Sequence, residues 1–171
     1  LGYDLKRVLG PMHQVISWEK AQLDIRQEQE VVEKLLLERP EVVVHAAAYT
    51  NVDKAESERE FAYQVNALGA LHVAKACEII GAKLVYVSTD YVFDGMKSEP
   101  YDEHDVPDPL NIYGASKLLG EKFVSMTCSK HYIVRTSWLY GQKGMNFVTK
   151  VLQKANQNAT LSIVDDQFGS P

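Results

Sequence analysis

The sequence predicts a doubly wound α/β fold built on a parallel sheet. Short β-branched apolar runs alternate with longer stretches of helical spacing, and small or hydroxylated residues gather just after each apolar run. In such sheets the crossovers are right-handed and the ligand crevice lies at the carboxyl ends of the strands, which is where those residues fall. In chain order, residues 3–9 begin a helix, 14–18 form a weaker strand and 28–39 a helix that Pro40 stops. Residues 41–46 are the first strong strand, 60–80 a helix, 83–88 the second strand and 98–110, rich in acids and prolines, a surface loop. A helix over 114–126, a strand over 132–136 and a helix over 146–156 complete the chain. The strand runs are apolar throughout rather than alternating, so both faces are expected to be buried.

At 171 residues the chain is one ordinary domain. Its net charge of -5 and pI near 5.5 exclude a phosphate-neutralising surface, so no nucleic acid polymer is expected as a partner. No apolar stretch approaches the roughly 20 residues of a membrane span, and Asp4, Lys6 and Arg7 interrupt any leader-like run, so no membrane association is expected either. Cys77 and Cys128 belong to no Cys-x-x-Cys pair and read as reduced thiols of a cytoplasmic protein.

The chemistry begins with Tyr113 and Lys117. Four apart at the opening of a helix, they emerge on one face and act on one site. A phenol with a pKa near 10 is a poor acid at neutral pH, and an ammonium beside it would pull that value down. A Tyr-x-x-x-Lys pair alone is weak, since nine tyrosines make chance pairs common. The context decides: Ser88-Thr89-Asp90-Tyr91-Val92-Phe93-Asp94-Gly95 follows an apolar strand and puts hydroxyls at its carboxyl end, upstream of Asn111-Ile112-Tyr113-Gly114-Ala115-Ser116-Lys117. Here the chain resembles the extended short-chain dehydrogenase/reductases, and within them the dTDP-4-dehydrorhamnose reductase family. The same resemblance extends over His45-Ala46-Ala47-Ala48-Tyr49-Thr50-Asn51-Val52-Asp53-Lys54-Ala55-Glu56, Val65-Asn66-Ala67-Leu68-Gly69-Ala70, Val134-Arg135-Thr136-Ser137-Trp138-Leu139-Tyr140-Gly141 and Asp166-Gln167-Phe168-Gly169-Ser170-Pro171.

The resemblance implies a Rossmann-like domain that binds NADPH or NADH and reduces the 4-keto group of a dTDP-sugar, a step in nucleotide-sugar and cell-surface polysaccharide biosynthesis. It implies Thr89, Tyr113 and Lys117 as the catalytic set: Tyr113 protonates the oxyanion left by hydride transfer, Thr89 hydrogen-bonds that oxygen and Lys117 holds the nicotinamide ribose. It places Gly2, Asp24, Ile25, Ala46, Ala47, Ala48, Thr50 and Ser88 with Tyr113 and Lys117 at the cofactor, Asp24 and Ile25 beside the adenine. Tyr91 and Trp138 would line the sugar pocket, although each also reads as an ordinary core aromatic. Read without the resemblance, Thr89 is a β-branched strand end, Asp24 a helix N-cap and the three alanines a packed turn. His45 reads as a satisfied core histidine, and Asp102-Glu103-His104-Asp105 as a solvated loop, so no metal is expected.

Family members open with a strand and a Gly-x-x-Gly-x-x-Gly turn, of which only Leu1-Gly2 is a candidate remnant here, and they continue past the position of Pro171 into a smaller substrate-binding lobe. The expectation is therefore a domain incomplete at its N-terminus, within a protein of about 280 residues; any homodimer would form through regions outside this chain. Glu19 suits a ribose 2′-hydroxyl and Lys20 a 2′-phosphate, which leaves both cofactors open. Two rival readings remain: a non-catalytic regulatory subunit resembling the β subunit of methionine adenosyltransferase, and another extended sugar-nucleotide epimerase or dehydratase. Joint retention of Thr89, Tyr113 and Lys117 favours catalysis, and Val92-Phe93-Asp94-Gly95, where the epimerase relatives show Val-Tyr-Gly, favours a reductase.

Overall fold

A computed structural model describes residues 1–157, 160–163, 166 and 169. Of the motif at 166–171, only Asp166 and Gly169 fall within them. The chain divides into two compact units, Trp18–Arg135 and Leu1–Ser17 with Thr136–Pro171.

The larger unit carries the sheet. The apolar runs become β1 (Val42–His45), β2 (Lys83–Thr89) and β3 (His131–Thr136), ordered β1-β2-β3. β1 and β2 are parallel, with Val42 opposite Lys83 and His45 opposite Tyr86. α2 (Glu28–Glu38) precedes β1, and between β1 and β2 run α3 (Val52–Ser57), α4 (Arg59–Tyr63), a single π turn (Gln64–Leu68) and α5 (Gly69–Ile80). A 3-10 turn (Asp90–Val92) and α6 (Ile112–Thr127) follow β2. The fold is thus the expected α/β architecture with a parallel sheet. α6 starts earlier than its apolar periodicity predicts, because the Asn111 side chain accepts the Gly114 N–H at 2.8 Å and caps the helix.

Burial departs from expectation on two strands. β2 buries Leu84, Tyr86, Ser88 and Thr89, but β1 and β3 alternate, leaving Val42, Val44, Tyr132 and Val134 exposed. The reason is one-sided packing: Val31 and Leu35 of α2, Ala70, Val73, Ala74 and Cys77 of α5, and Val124 of α6 form one core with Leu84 and Tyr86. A strand side facing away from that core stays in contact with solvent. The weaker run at 14–18 is not a strand: among the described residues it has no ladder partner, and the sheet ends at β1. Its polar Gln14 and Ser17 break up the apolar surface it has to anchor.

In the other unit, α1 (Gly2–Leu9) is the expected first helix and α7 (Phe147–Gln157) the last, and neither buries a residue. Trp138 there has a left-handed φ of 45°, unusual for a bulky side chain, and its indole packs against Gly169. The loop over 98–110 lies at the surface as expected, tied by a 2.6 Å bridge from Lys97 to Asp105 and by Phe93 stacked on Tyr101. Among the described residues no acid, histidine and cysteine cluster is arranged to hold a metal, and no helix is long and apolar enough to cross a membrane. Cys77 and Cys128 are free and buried, and burial pushes the Cys77 thiol up to about 12.

Candidate active site

The site is built where β2 ends. Thr89 is the last residue of the strand, and its side chain accepts the Tyr91 N–H at 3.2 Å while donating to Asp90 at 3.0 Å, so the turn that follows fixes the hydroxyl. α6 then returns with Tyr113 in its first turn, beside the Thr89 hydroxyl and edge-on to Tyr91 with ring centres 5.6 Å apart. This approach requires a glycine: a Cβ on Gly114 would run into the Tyr91 carbonyl oxygen and stand 3.1 Å from Pro109. One turn further, Lys117 is 2% exposed, and its Nζ donates to the Val87 carbonyl at 2.7 Å and lies 4.1 Å above the Tyr86 ring.

The electrostatics differ from the sequence expectation in one respect. Tyr113 is not drawn down by Lys117; burial raises its pKa above that of an ordinary tyrosine, the hydrogen bond with Thr89 opposes this, and Asp90 and Tyr91 add to the rise. The lysine is turned to the Val87 carbonyl and the Tyr86 face instead. Burial brings the Lys117 ammonium down to about 8, with Glu121 pulling the other way. Glu121 is itself buried and paired to Arg135 at 2.7 Å.

Ala46, Ala47, Ala48 and Thr50 follow β1 directly, and Ser88 stands one residue before Thr89. Ser88 Oγ is buried with no hydrogen-bond partner, an arrangement that suits a polar ligand atom supplied from outside the chain. Small side chains at 46–48 leave the backbone open to a flat ligand. Asp24 is not a helix N-cap, since α2 is capped by Gln27. Both Asp24 oxygens accept from Arg26, which holds the carboxyl down at about 2. Gly2 opens α1 and Trp138 lies beyond β3, both in the smaller unit; the structure gathers Thr89, Tyr91, Tyr113 and Lys117 in the larger one.

His45 is buried as expected but not satisfied: its Nε2 has no partner. Burial, helped by the Lys117 charge, pushes the imidazole down to about 3, so it is neutral in the fold. As pH falls through the unfolded value near 6.5, the unfolded chain takes a proton that the folded one refuses, and stability is lost. We expect this to cost about 2 kcal/mol between pH 7 and pH 5. Urea unfolding of wild type and His45→Asn at the two pH values checks it: the variant should lose less on acidification, and equal losses would contradict the assignment.

Asn66 is a residue to which sequence reasoning gave no role. Its side chain accepts the Tyr49 N–H at 2.8 Å and donates to the Tyr49 carbonyl and to Ser116, which in turn donates to the Tyr113 carbonyl at 2.7 Å. Its own carbonyl accepts the Tyr86 hydroxyl at 3.1 Å. One buried amide thus joins the loop after β1 to the helix carrying Tyr113. The π turn around it gave no period to read in the sequence; the Val65-Asn66-Ala67 motif was the available signal.

Residues 1–171 match the family described as RmlD substrate binding domain. The chain belongs to that family. It is 42% identical over 175 residues to the dTDP-4-dehydrorhamnose reductase of Escherichia coli K12, a match covering 100% of this chain and 58% of that protein. It is likewise 42% identical to the spore coat polysaccharide biosynthesis protein SpsK of Bacillus subtilis, covering 61% of it. The crystal structure of the Bacillus anthracis dTDP-4-dehydrorhamnose reductase in complex with NADP superposes with a TM-score of 0.95 at 48% identity, covering 99% of this chain and 61% of that one. The chain therefore spans about three fifths of the length of these relatives.

Proposed function

We propose that the full-length protein reduces the 4-keto group of dTDP-4-dehydrorhamnose to give dTDP-rhamnose, using NADPH or NADH, and that this chain supplies its nucleotide-binding, Rossmann-like domain. The carrying observation is the juxtaposition of Thr89 and Tyr113 at the carboxyl end of β2, with Lys117 buried one turn along α6. The residues present fit a nicotinamide dinucleotide: the strand ends offer the buried, partnerless Ser88 hydroxyl and the small side chains at 46–48. The nicotinamide, when bound, supplies the hydride.

The chain's own residues then act as follows. Tyr113, kept protonated by its burial, donates its phenolic proton to the oxygen of the former keto group. Thr89, beside Tyr113, turns its hydroxyl from Asp90 to the same developing oxyanion. Lys117 presents a cation fixed by Val87 and Tyr86, assigned to a ribose hydroxyl rather than to tuning the tyrosine. Tyr91, 42% exposed beside Tyr113, is an aromatic face for the sugar ring. The test is addition of dTDP-4-dehydrorhamnose to the full-length protein with NADPH or NADH. Oxidation of one cofactor per sugar consumed is expected; substrate-independent absorbance, or sugar conversion with no cofactor oxidised, would refute it.

A further inference from the structure

We propose that His72 of α5 is a positioning residue for the adenine end of the dinucleotide, acting through the backbone of Ile25. The inference rests on the reading above, in which Asp24 and Ile25 meet the adenine. The segment between Leu23 and α2 belongs to no helix or strand, so side chains must hold it. Two contacts from one face of α5 fix Ile25. Its side chain sits where α5 begins, at Gly69, where an added Cβ would lie 2.7 Å from Ile25 Cδ1. Three residues on, and so on the same face of the helix, His72 Nδ1 lies 2.9 Å from the Ile25 carbonyl oxygen. A carbonyl only accepts, so Nδ1 carries the proton and donates it.

The other edge of the ring faces α2: His72 Nε2 lies 3.7 Å from Glu28, whose second oxygen accepts from Lys75 at 2.8 Å, so the imidazole stands between the loop and the first turn of α2. On the opposite side Asp24 is taken up by Arg26, and that guanidinium lies 5.0 Å from the Phe61 ring centre in α4. With the Ile25 carbonyl occupied by His72, the Ile25 N–H has no protein partner among the described residues and remains a donor for a planar base. The placement suits that use: Gly69 is three residues past Asn66, which clamps the loop after β1, so the Ile25 segment and that loop flank the same end of α5. His72 therefore sets where the adenine contact stands without touching the reacting atoms.

The test uses full-length wild type, His72→Leu and His72→Asn, the last keeping a donor at the reach of Nδ1. Dissociation constants for NADPH and for ADP-ribose, which has the adenine but no nicotinamide, are measured by titration. Turnover is measured with NADPH and with reduced nicotinamide mononucleotide, which lacks the adenine. For His72→Leu both dissociation constants should rise by about 3- to 10-fold, the worth of one hydrogen bond. kcat should stay within about twofold, KM for the mononucleotide should not move, and His72→Asn should recover most of the loss. Unchanged NADPH and ADP-ribose affinity, or an equal rise for the mononucleotide, would overturn the proposal. Wild type that binds NADPH but reduces no keto-sugar would overturn only the reductase reading; wild type that binds neither adenine ligand would overturn both.

Discussion

Tyr113→Phe in the full-length protein is expected to lower kcat by about 10²- to 10⁴-fold while leaving NADPH affinity within about twofold, since a positioned general acid is worth that much in rate. The phenyl ring keeps the packing against Tyr91, so only the hydroxyl beside Thr89, the proton donor, is lost. The raised pKa of Tyr113 sharpens this expectation. A phenol held above its usual value is protonated throughout the neutral range, which is the form an acid must have. Steady-state turnover with a parallel cofactor titration checks it. A variant retaining more than about a tenth of wild-type turnover would remove Tyr113 from the acid role.

Gly114→Ala should be nearly as damaging, for a geometric reason. The added methyl group would meet the Tyr91 carbonyl, a backbone atom that cannot swing aside as a side-chain end can, with Pro109 closing the other side. Either α6 withdraws from the turn after β2 or that turn deforms. Overpacking of this kind typically costs about 1–3 kcal/mol of stability. Because Gly114 adjoins Tyr113, the same displacement separates the phenol from Thr89, and a misplacement of about 1 Å is enough for a loss on the order of 10² in rate. Denaturant unfolding and kcat should both fall. Full activity in a stably folded Gly114→Ala protein would show that the close approach of α6 to Tyr91 is not needed for catalysis.

The strands and most helix bounds were legible because each is written locally: the apolar runs around Val43, Val85 and Ile133 are strand-length, and Arg39-Pro40 ends α2. The meeting of Thr89 and Tyr113 was legible because a strand end and a helix start are both local, and their order brings the two together. Relations through space were not. The one-sided burial of β1 depends on which elements cover it, and the sequence of Val42 and Val44 is the same in either case. The lysine at 117 was expected to tune Tyr113, but its direction is set by the Val87 carbonyl and the Tyr86 ring, thirty and more residues away in sequence. Asn66, inside a π turn, bonds Tyr49 17 positions before it and Ser116 50 positions after it, and no periodicity announces that. The bond from His72 to Ile25 is of the same kind, spanning 47 positions.

The central claim is that these residues serve hydride transfer to a sugar carbonyl. It is tested most directly by giving the full-length protein dTDP-4-dehydrorhamnose with NADPH deuterated at the transferable position and determining where the label goes. The account predicts dTDP-rhamnose carrying one deuterium at sugar C4 for each cofactor oxidised, with label transfer falling with rate in Tyr113→Phe. Sugar that is isomerised or dehydrated without acquiring deuterium, or cofactor bound tightly and never oxidised, would contradict it.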